Sequence, residues 1–233
     1  MNLIVHRADR NATIEVIQAY LHDAITAFAF DEKLSEIASR TTDRTVKWVR
    51  AQLWGCYDDC EDHRVVGDRQ AWDMIQRLLL LLQSDASVVV DVGPARWTAR
   101  QAVAALGLLV FGWTVWQTGW GKHLLIANLP LGLVSMGLSW WRQRADRRRE
   151  TEQAALAPFG SLTQLRSIRR SVKGFAKLRY PEWLADRRIR SPLADFGLWL
   201  QFSAFWLMFS PVPLFFQAWP ERTTGWRVVT GSP

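Results

Sequence analysis

One short acidic segment, residues 57–63, holds the densest group of side chains in this chain that could do chemistry. On a helix, Asp58 would share a face with Asp62, because residues four apart lie on one side. Asp59 would share the neighbouring face with His63 in the same way. Carboxylates and an imidazole together can bind a divalent metal, which can lower the pKa of a bound water molecule. One hypothesis is therefore a divalent-metal site, or a metal-dependent active site, at these four residues.

Two cysteines, Cys56 and Cys60, offer a second kind of ligand in the same segment. The spacing Cys-x3-Cys-x2-His that they form with His63 matches no common zinc pattern and lacks a fourth ligand. In the cytoplasm both thiols would be reduced. The simpler interpretation is a solvated helix end, in which the cysteines face the core and Asp59 pairs with His63. We expect that structural role, with no catalytic residue and no cofactor.

Residues 1–95 are predicted to form the cytoplasmic helical bundle that positions this segment. They carry ten Lys and Arg residues against fifteen Asp and Glu residues, although the whole chain has a net charge of +7. A helix over 68–83 has an apolar surface broad enough to lie at the centre of the bundle or to dock on a partner. Residues 87–92 favour a strand, but no partner strand is evident, so we expect an extended linker. Helical spacing places earlier helices at Ile14, Ile17, Leu21, Ala24, Ile25 and Phe28 and at Val46, Val49, Leu53, Cys56, Tyr57 and Cys60.

Two uncharged apolar runs dominate the middle of the chain, over 101–121 and 124–141, if His123 is neutral. A helix rises about 1.5 Å per residue, so about 20 residues cross a hydrocarbon core of about 30 Å. Residues 96–149 therefore predict a two-helix transmembrane hairpin, with spans at about 101–120 and 123–141. A pair of core helices would rarely be this long without a charge. Tryptophan prefers the membrane interface, and the predicted interface residues are Trp113, Trp116, Trp120, Trp140 and Trp141.

The basic residues around this hairpin predict its orientation. Arg96 and Arg100 precede the first run, five arginines follow the second at 142, 144 and 147–149, and the turn holds only Lys122. The positive-inside rule therefore puts both outer ends in the cytoplasm. We expect no signal peptide in residues 1–10, which carry charges and no apolar core. Arginine outnumbers lysine 24 to 5, which suggests a GC-rich, bacterial genome and hence the bacterial inner membrane.

Residues 150–192 are predicted to form a basic, membrane-surface helical region. A helix begins at a capping box made by Ser161 and Gln164 and continues to about Leu178. It carries a basic stripe beside an apolar one, which is typical of a helix lying among anionic headgroups. The alternative is an amphipathic helix packed on the N-terminal bundle. The predicted headgroup ligands are Arg166, Arg169, Arg170, Lys173 and Lys177.

Residues 193–233 contain a third uncharged apolar stretch, over 196–220. Pro211 and Pro213 break its helical pattern, because proline lacks an N–H group and its ring clashes with the preceding turn. A kinked third span and an in-plane or re-entrant segment both fit. A span would put Arg222 and Arg227 outside, against the charge rule, so we favour the non-spanning form.

These features predict an all-α membrane protein with an N-terminal cytoplasmic helical bundle, a transmembrane hairpin and C-terminal interfacial helices. No phosphate-binding loop, GxSxG, HExxH or CxxC motif occurs. We therefore expect a non-enzymatic protein whose cytoplasmic domain binds a protein partner or a second copy at an anionic bilayer. The alternatives are a membrane-perturbing or signalling effector and a metal-dependent membrane-bound enzyme using residues 58–63. Basic charge confined to the membrane-flanking part argues against nucleic-acid binding.

Overall fold

The computed structural model describes residues 5–154 and 156–230, without the side chains of residues 145–154 and 223. The predicted inside charges Arg147, Arg148 and Arg149 lie outside the described side chains. The described chain is predominantly helical, as predicted. Contacts divide it into two compact units: the first takes in the described parts of Met1–Asp91, Glu152–Ile189 and Gly225–Pro233, and the second Val92–Thr151 and Arg190–Thr224.

The core of the first unit is made by four helices from the N-terminal part of the chain. They are α1 (Arg7–Leu21), α2 (Ala27–Arg40), α3 (Arg44–Leu53) and α4 (Arg69–Gln83). Asp43 and Asp68 begin α3 and α4 as N-caps, each accepting a hydrogen bond from a backbone N–H of the first turn. Helix α4 buries all of 78–82. Its broad apolar surface is therefore buried in the core of the first unit.

A fully buried ion pair joins these helices to one another. The Nε of Arg10 on α1 lies 2.7 Å from a carboxylate oxygen of Asp43. The same guanidinium donates hydrogen bonds to the carbonyls of Ser84 and Ala86, at 2.8 and 2.7 Å. Because neither charged group reaches water, this network fixes the ends of α1, α3 and α4 together.

Two strands form the main departure from the predicted all-α fold. Strand β1 (Ala86–Arg96) pairs with β2 (Glu221–Thr230) in a two-stranded sheet. The extended linker predicted over 87–92 is therefore wrong. The partner strand follows more than a hundred residues later, and pairing between such distant segments leaves no local pattern from which it could be inferred.

The basic helix is shorter than predicted. Helix α7 (Leu162–Ser171) begins at Ser161, whose side chain accepts from the Gln164 N–H as expected. It ends well before Leu178, and Gly174 then adopts a φ of +86° that favours glycine. The chain after α7 stays on the first unit: the Trp72 indole donates to the Leu178 carbonyl at 3.0 Å.

The second unit contains two helices that are long and apolar enough to cross a membrane. Helix α5 (Ala99–Thr118) qualifies along its whole length, and α6 (His123–Ala154) qualifies over His123–Arg144. Helices α8 (Pro192–Met208) and α9 (Pro211–Ala218) qualify only as a pair, and they are bent by 79° at their junction. By length and composition, residues 192–218 fit a broken span or a re-entrant loop.

Candidate functional site

The acidic segment is not helical. Helix α3 ends at Leu53, a 3-10 turn covers Trp54–Cys56, and residues 57–67 connect it to α4 without regular structure. The expected face-sharing of Asp58 with Asp62 is therefore wrong. Gly55 has a low helix propensity. The carboxylates that follow it would repel one another on a helix. Both effects explain why α3 ends before the acidic segment instead of continuing through it.

Two of the four predicted metal ligands, His63 and Asp62, bind backbone groups in or next to this loop. The His63 Nε2 accepts a hydrogen bond from the Asp58 N–H at 3.0 Å, so Nδ1 must carry the proton that it donates to the Arg64 carbonyl at 2.6 Å. Both ring nitrogens are thereby engaged. A carboxylate oxygen of Asp62 accepts from the Phe28 N–H, in the first turn of α2, at 3.0 Å.

The remaining carboxylates converge with a cysteine instead. One ligand atom from each of Asp58, Asp59 and Cys60 lies within 4.8 Å of the others, at the protein surface. Asp58 also accepts from the Cys60 N–H at 2.7 Å. Two carboxylates and a thiol are groups that can coordinate a metal cation. Metal binding at residues 58–63 stays a prediction.

The neighbouring side chains hold this loop against the helices. The Tyr57 hydroxyl donates to an Asp31 carboxylate oxygen at 2.5 Å, and burial together with that hydrogen bond raises the pKa of Tyr57. Burial, reinforced by the charge of Asp68, raises the pKa of Cys56 to about 11. Cys56 is therefore a protonated thiol at neutral pH, which is unsuited to metal or redox chemistry.

The predicted headgroup ligands are all exposed, but they do not share one helix. Arg166, Arg169 and Arg170 lie on α7, whereas Lys173 and Lys177 follow its end. The Lys177 amine pairs with Asp73 at 2.8 Å. On the opposite face, Ile168 is buried in the core of the first unit, and the neighbouring apolar side chains pack against the same core. The basic face therefore points to solvent, and headgroup binding by it stays a prediction.

The predicted interface tryptophans are all strongly exposed. Trp113, Trp116 and Trp120 lie at the end of α5 and in the turn after it, while Trp140 and Trp141 lie near the end of the apolar part of α6. In the predicted hairpin, these two groups would lie at opposite ends of the helix pair. Tryptophan is enriched at both membrane–water interfaces, so exposed indoles at both ends would suit a bilayer. The location of these tryptophans at the interfaces stays a prediction.

A ladder of hydrogen bonds inside the second unit was missed by the sequence analysis. The Asn128 amide donates to the Met208 carbonyl at 3.0 Å, at the break between α8 and α9. The Gln217 amide donates to the Ser135 carbonyl at 3.0 Å and to the Ser139 hydroxyl at 2.7 Å. Asn128, Ser135 and Ser139 recur at helical spacing along α6. This polar stripe within an apolar run was the sequence signal that could have indicated hydrogen bonds from this face of α6 to another segment.

A cavity of about 490 Å³ lies beside this ladder, wholly within the second unit. Its walls are mainly apolar and aromatic side chains of α6, α8 and α9. Three charged side chains of the lining contact one another: Glu221 accepts from Arg100 at 3.2 Å and from Arg142 at 3.1 Å. Both arginines were noted in the sequence only as flanking charges. The lining residues are Arg100, Gln101, Leu138, Ser139, Arg142, Phe205, Trp206, Phe209, Val212, Pro213, Phe216, Gln217 and Glu221.

Comparison of the chain with models of known families, with curated proteins and with solved structures finds no significant match. Its function is therefore inferred from the residues and their geometry.

Proposed function

We propose that this is a non-enzymatic integral membrane protein that holds one helical domain at the membrane surface, where the domain binds a partner or a second copy. The observation that carries the proposal is the distribution of exposed apolar side chains. Among the described residues, most large exposed hydrophobic side chains belong to the second unit, chiefly on α5, α6, α8 and α9. Surfaces of this kind require lipid or a partner, because soluble proteins rarely expose so much apolar area.

Chain connectivity supports a specific topology. The second unit consists of two excursions, Val92–Thr151 and Arg190–Thr224, and the chain returns to the first unit after each one. Leu184, before the second excursion, and Val228, after it, are both buried in the core of the first unit. One folded domain occupies one side of a bilayer, so each excursion crosses an even number of times. We infer that α5 and α6 cross and that the bent α8–α9 pair is re-entrant.

The flanking charges support an orientation with the first unit in the cytoplasm, and with it a bacterial inner-membrane location. Arg96, Arg100, Arg142 and Arg144 flank the outer ends of α5 and the apolar part of α6, whereas the turn between these helices holds only Lys122. Retention of basic residues on the cytoplasmic side follows the positive-inside rule. The exposed arginines of α7 belong to the same domain, so this orientation would put them in the cytoplasm, the side on which anionic lipids attract basic residues.

A surface suited to a protein partner lies around the acidic segment. Trp54 and Phe28 are 49% and 45% exposed, and both border this segment. The Trp54 ring is 6.5 Å from that of Tyr57, and the Phe28 N–H binds Asp62. Exposed aromatic side chains are enriched at protein interfaces. We therefore place the binding surface here rather than on α4, whose apolar face is covered.

The two alternative functions have less support. A membrane-perturbing effector would insert the apolar face of α7 into lipid, but Ile168 on that face is packed in the domain core. A metal-dependent enzyme would use His63, whose ring nitrogens are both hydrogen-bonded to the backbone. The first would require α7 to leave the core of the domain, and the second would require His63 to release a backbone hydrogen bond.

Cysteine labelling in intact cells tests the topology. Single cysteines are introduced as Lys122→Cys, Lys173→Cys or Thr230→Cys in a background carrying Cys56→Ser and Cys60→Ser. A membrane-impermeant maleimide should label only Lys122→Cys, and the other two should react after the membrane is permeabilised. Labelling of Thr230→Cys from outside would mean that α8–α9 crosses the membrane, and the single-domain topology would be wrong.

Crosslinking in native membranes tests the binding role. We expect peptides of the first unit, near Trp54, to crosslink to a second copy or to one recurring protein. Trp54→Ala should reduce these products several-fold. Leu162→Ala removes a side chain of similar exposure, 53%, elsewhere in the domain and is the matched control. Equal yields from both variants, or crosslinks confined to the second unit, would contradict the proposed surface.

A further inference from the structure

We propose that the break between α8 and α9 binds one monovalent alkali cation, Na⁺ or K⁺, through neutral oxygen atoms of Asn128, Leu207 and Ser210. All three residues belong to the second unit. In membrane proteins, the ends of broken helices and unwound backbone carbonyls coordinate such ions. A cation site is additional to the anchoring and partner-binding roles proposed above, and it does not depend on which side of a bilayer the first unit occupies.

The side chain of Asn128 carries a buried oxygen that has no hydrogen-bond donor. Asn128 lies on α6 and is only 7% exposed. Its Nδ2 donates to the Met208 carbonyl at 3.0 Å, which fixes the amide against the last residue of α8. The Oδ1 of the same planar amide is buried and has no partner among the described residues. A buried acceptor without a partner is costly, so this oxygen indicates a ligand at the break.

The end of α8 supplies a second oxygen. In a continuous helix the N–H of residue 211 would donate to the Leu207 carbonyl, but residue 211 is a proline and has no N–H group. The Leu207 carbonyl oxygen lies against α6, because a Cβ added to Gly132, one turn after Asn128, would be 3.1 Å from it. Carbonyl groups at the C-terminus of a helix also carry partial negative charge, which favours a cation.

The start of α9 supplies a third oxygen and few N–H groups. Ser210 is fully buried, and its hydroxyl donates its only hydrogen to the Asn128 carbonyl at 3.0 Å. Although Ser210 is the N-cap of α9, its side chain accepts no capping hydrogen bond, so no N–H of α9 occupies its lone pairs. Pro211 and Pro213 lack N–H groups, and the N–H of Val212 already donates to a carbonyl. This helix end therefore repels a cation less than an ordinary N-terminus would.

The ligand set favours a monovalent cation. An amide, a carbonyl and a hydroxyl oxygen have no formal charge, whereas divalent ions in proteins usually bind carboxylates. The described carboxylates of the second unit are remote: Asp195 lies in the first turn of α8, about 20 Å from the break along the helix axis. Glu221 binds Arg142, which is about 20 Å from Asn128 along α6. Carbonyl oxygens alone can replace the hydration shell of an alkali cation.

The test compares thermal midpoints of the full-length protein in detergent micelles, in NaCl, KCl or choline chloride at equal ionic strength. At least one of the two alkali cations should raise the midpoint above its value in choline, and the rise should saturate. The expected shift is about 3–6 °C at about ten times the half-saturating concentration. Equal midpoints in the three salts would mean that the oxygens at the break bind water only, and would overturn the proposal.

Two variants locate the effect. Asn128→Leu removes Oδ1, and Ser210→Ala removes one hydroxyl, a smaller change that carries the test if the first variant does not fold. Each should reduce the cation-dependent shift to less than half, whatever its midpoint in choline.

Ser139→Ala is the matched control. It also removes a hydrogen-bonded group of α6, 2.7 Å from the Gln217 amide, but at about 16 Å from Asn128 along the helix axis. This control should keep the full cation-dependent shift even if its midpoint falls. A full shift in Ser210→Ala or in Asn128→Leu would place the bound cation elsewhere and refute the site.

Discussion

Removing the buried partner of Arg10 should destabilise the first unit more than any surface change. In Asp43→Ala, the fully buried Arg10 guanidinium loses the carboxylate 2.7 Å from its Nε. It keeps the Ser84 and Ala86 carbonyls, which are neutral and cannot offset its charge. Leaving one charge of a buried pair without its partner costs about 3–5 kcal/mol. The variant also loses the N-cap of α3, so that range is a lower bound on the total loss.

Hydrogen exchange in the full-length protein measures this effect. The most protected amides of α1 and α3 exchange when the domain unfolds. A loss of about 3–5 kcal/mol in the free energy of unfolding should therefore raise their exchange rates by about two to three and a half orders of magnitude. Arg40→Ala is the control, because Arg40 forms an exposed i,i+4 pair with Glu36 at 3.3 Å. Such pairs contribute about 0.5 kcal/mol or less. If Asp43→Ala accelerates exchange no more than Arg40→Ala, the buried network does not stabilise the domain as inferred.

The same pair makes the domain sensitive to acid. Burial alone would raise the pKa of Asp43, but the hydrogen bond and charge of Arg10 and the N–H groups of Thr45 and His6 outweigh it and lower the pKa overall. A lowered pKa in the folded state stabilises the domain above the unfolded value of about 3.9. That contribution should disappear as the pH falls through the folded pKa, and Asp43→Asn should abolish this part of the pH dependence.

Three further predictions concern packing and thiol reactivity. Gly132→Ala should lower the thermal midpoint in detergent, because its new Cβ would lie 2.8 Å from a backbone atom of α8, and such overpacking costs about 1–3 kcal/mol. Gly137→Ala, whose Cβ would meet nothing within 4 Å, should not, and equal midpoints would refute the proposed close approach. Gln217→Leu should destabilise the second unit by about 1–2 kcal/mol through its lost hydrogen bonds, and a midpoint equal to that of Gly137→Ala would contradict this. Exposed Cys60 should react with maleimide at neutral pH well before Cys56, whose pKa is raised to about 11, and similar rates would refute the burial of Cys56.

Local signals in the sequence were sufficient for the elements that depend on neighbouring residues. Two uncharged runs of about twenty residues predicted two helices able to cross a membrane, and both are present. The cap at Ser161 was identified correctly, because a cap acts on N–H groups only two or three residues away. The hairpin, its orientation and the interface tryptophans stay predictions, since they concern the bilayer.

The tertiary structure decided what depends on distant residues. Strand β1 pairs with β2, which lies far away in the sequence. The apolar side of α7 packs against the core of the first unit. Both ring nitrogens of His63 form hydrogen bonds with backbone groups. Glu221 forms an ion pair with Arg100, although the two residues are far apart in the sequence. The physical reason is common to all of these. Helix length, apolar period and capping are set within one or two turns of chain, whereas strand pairing, burial and the convergence of charges are set by which segments the folded chain brings together.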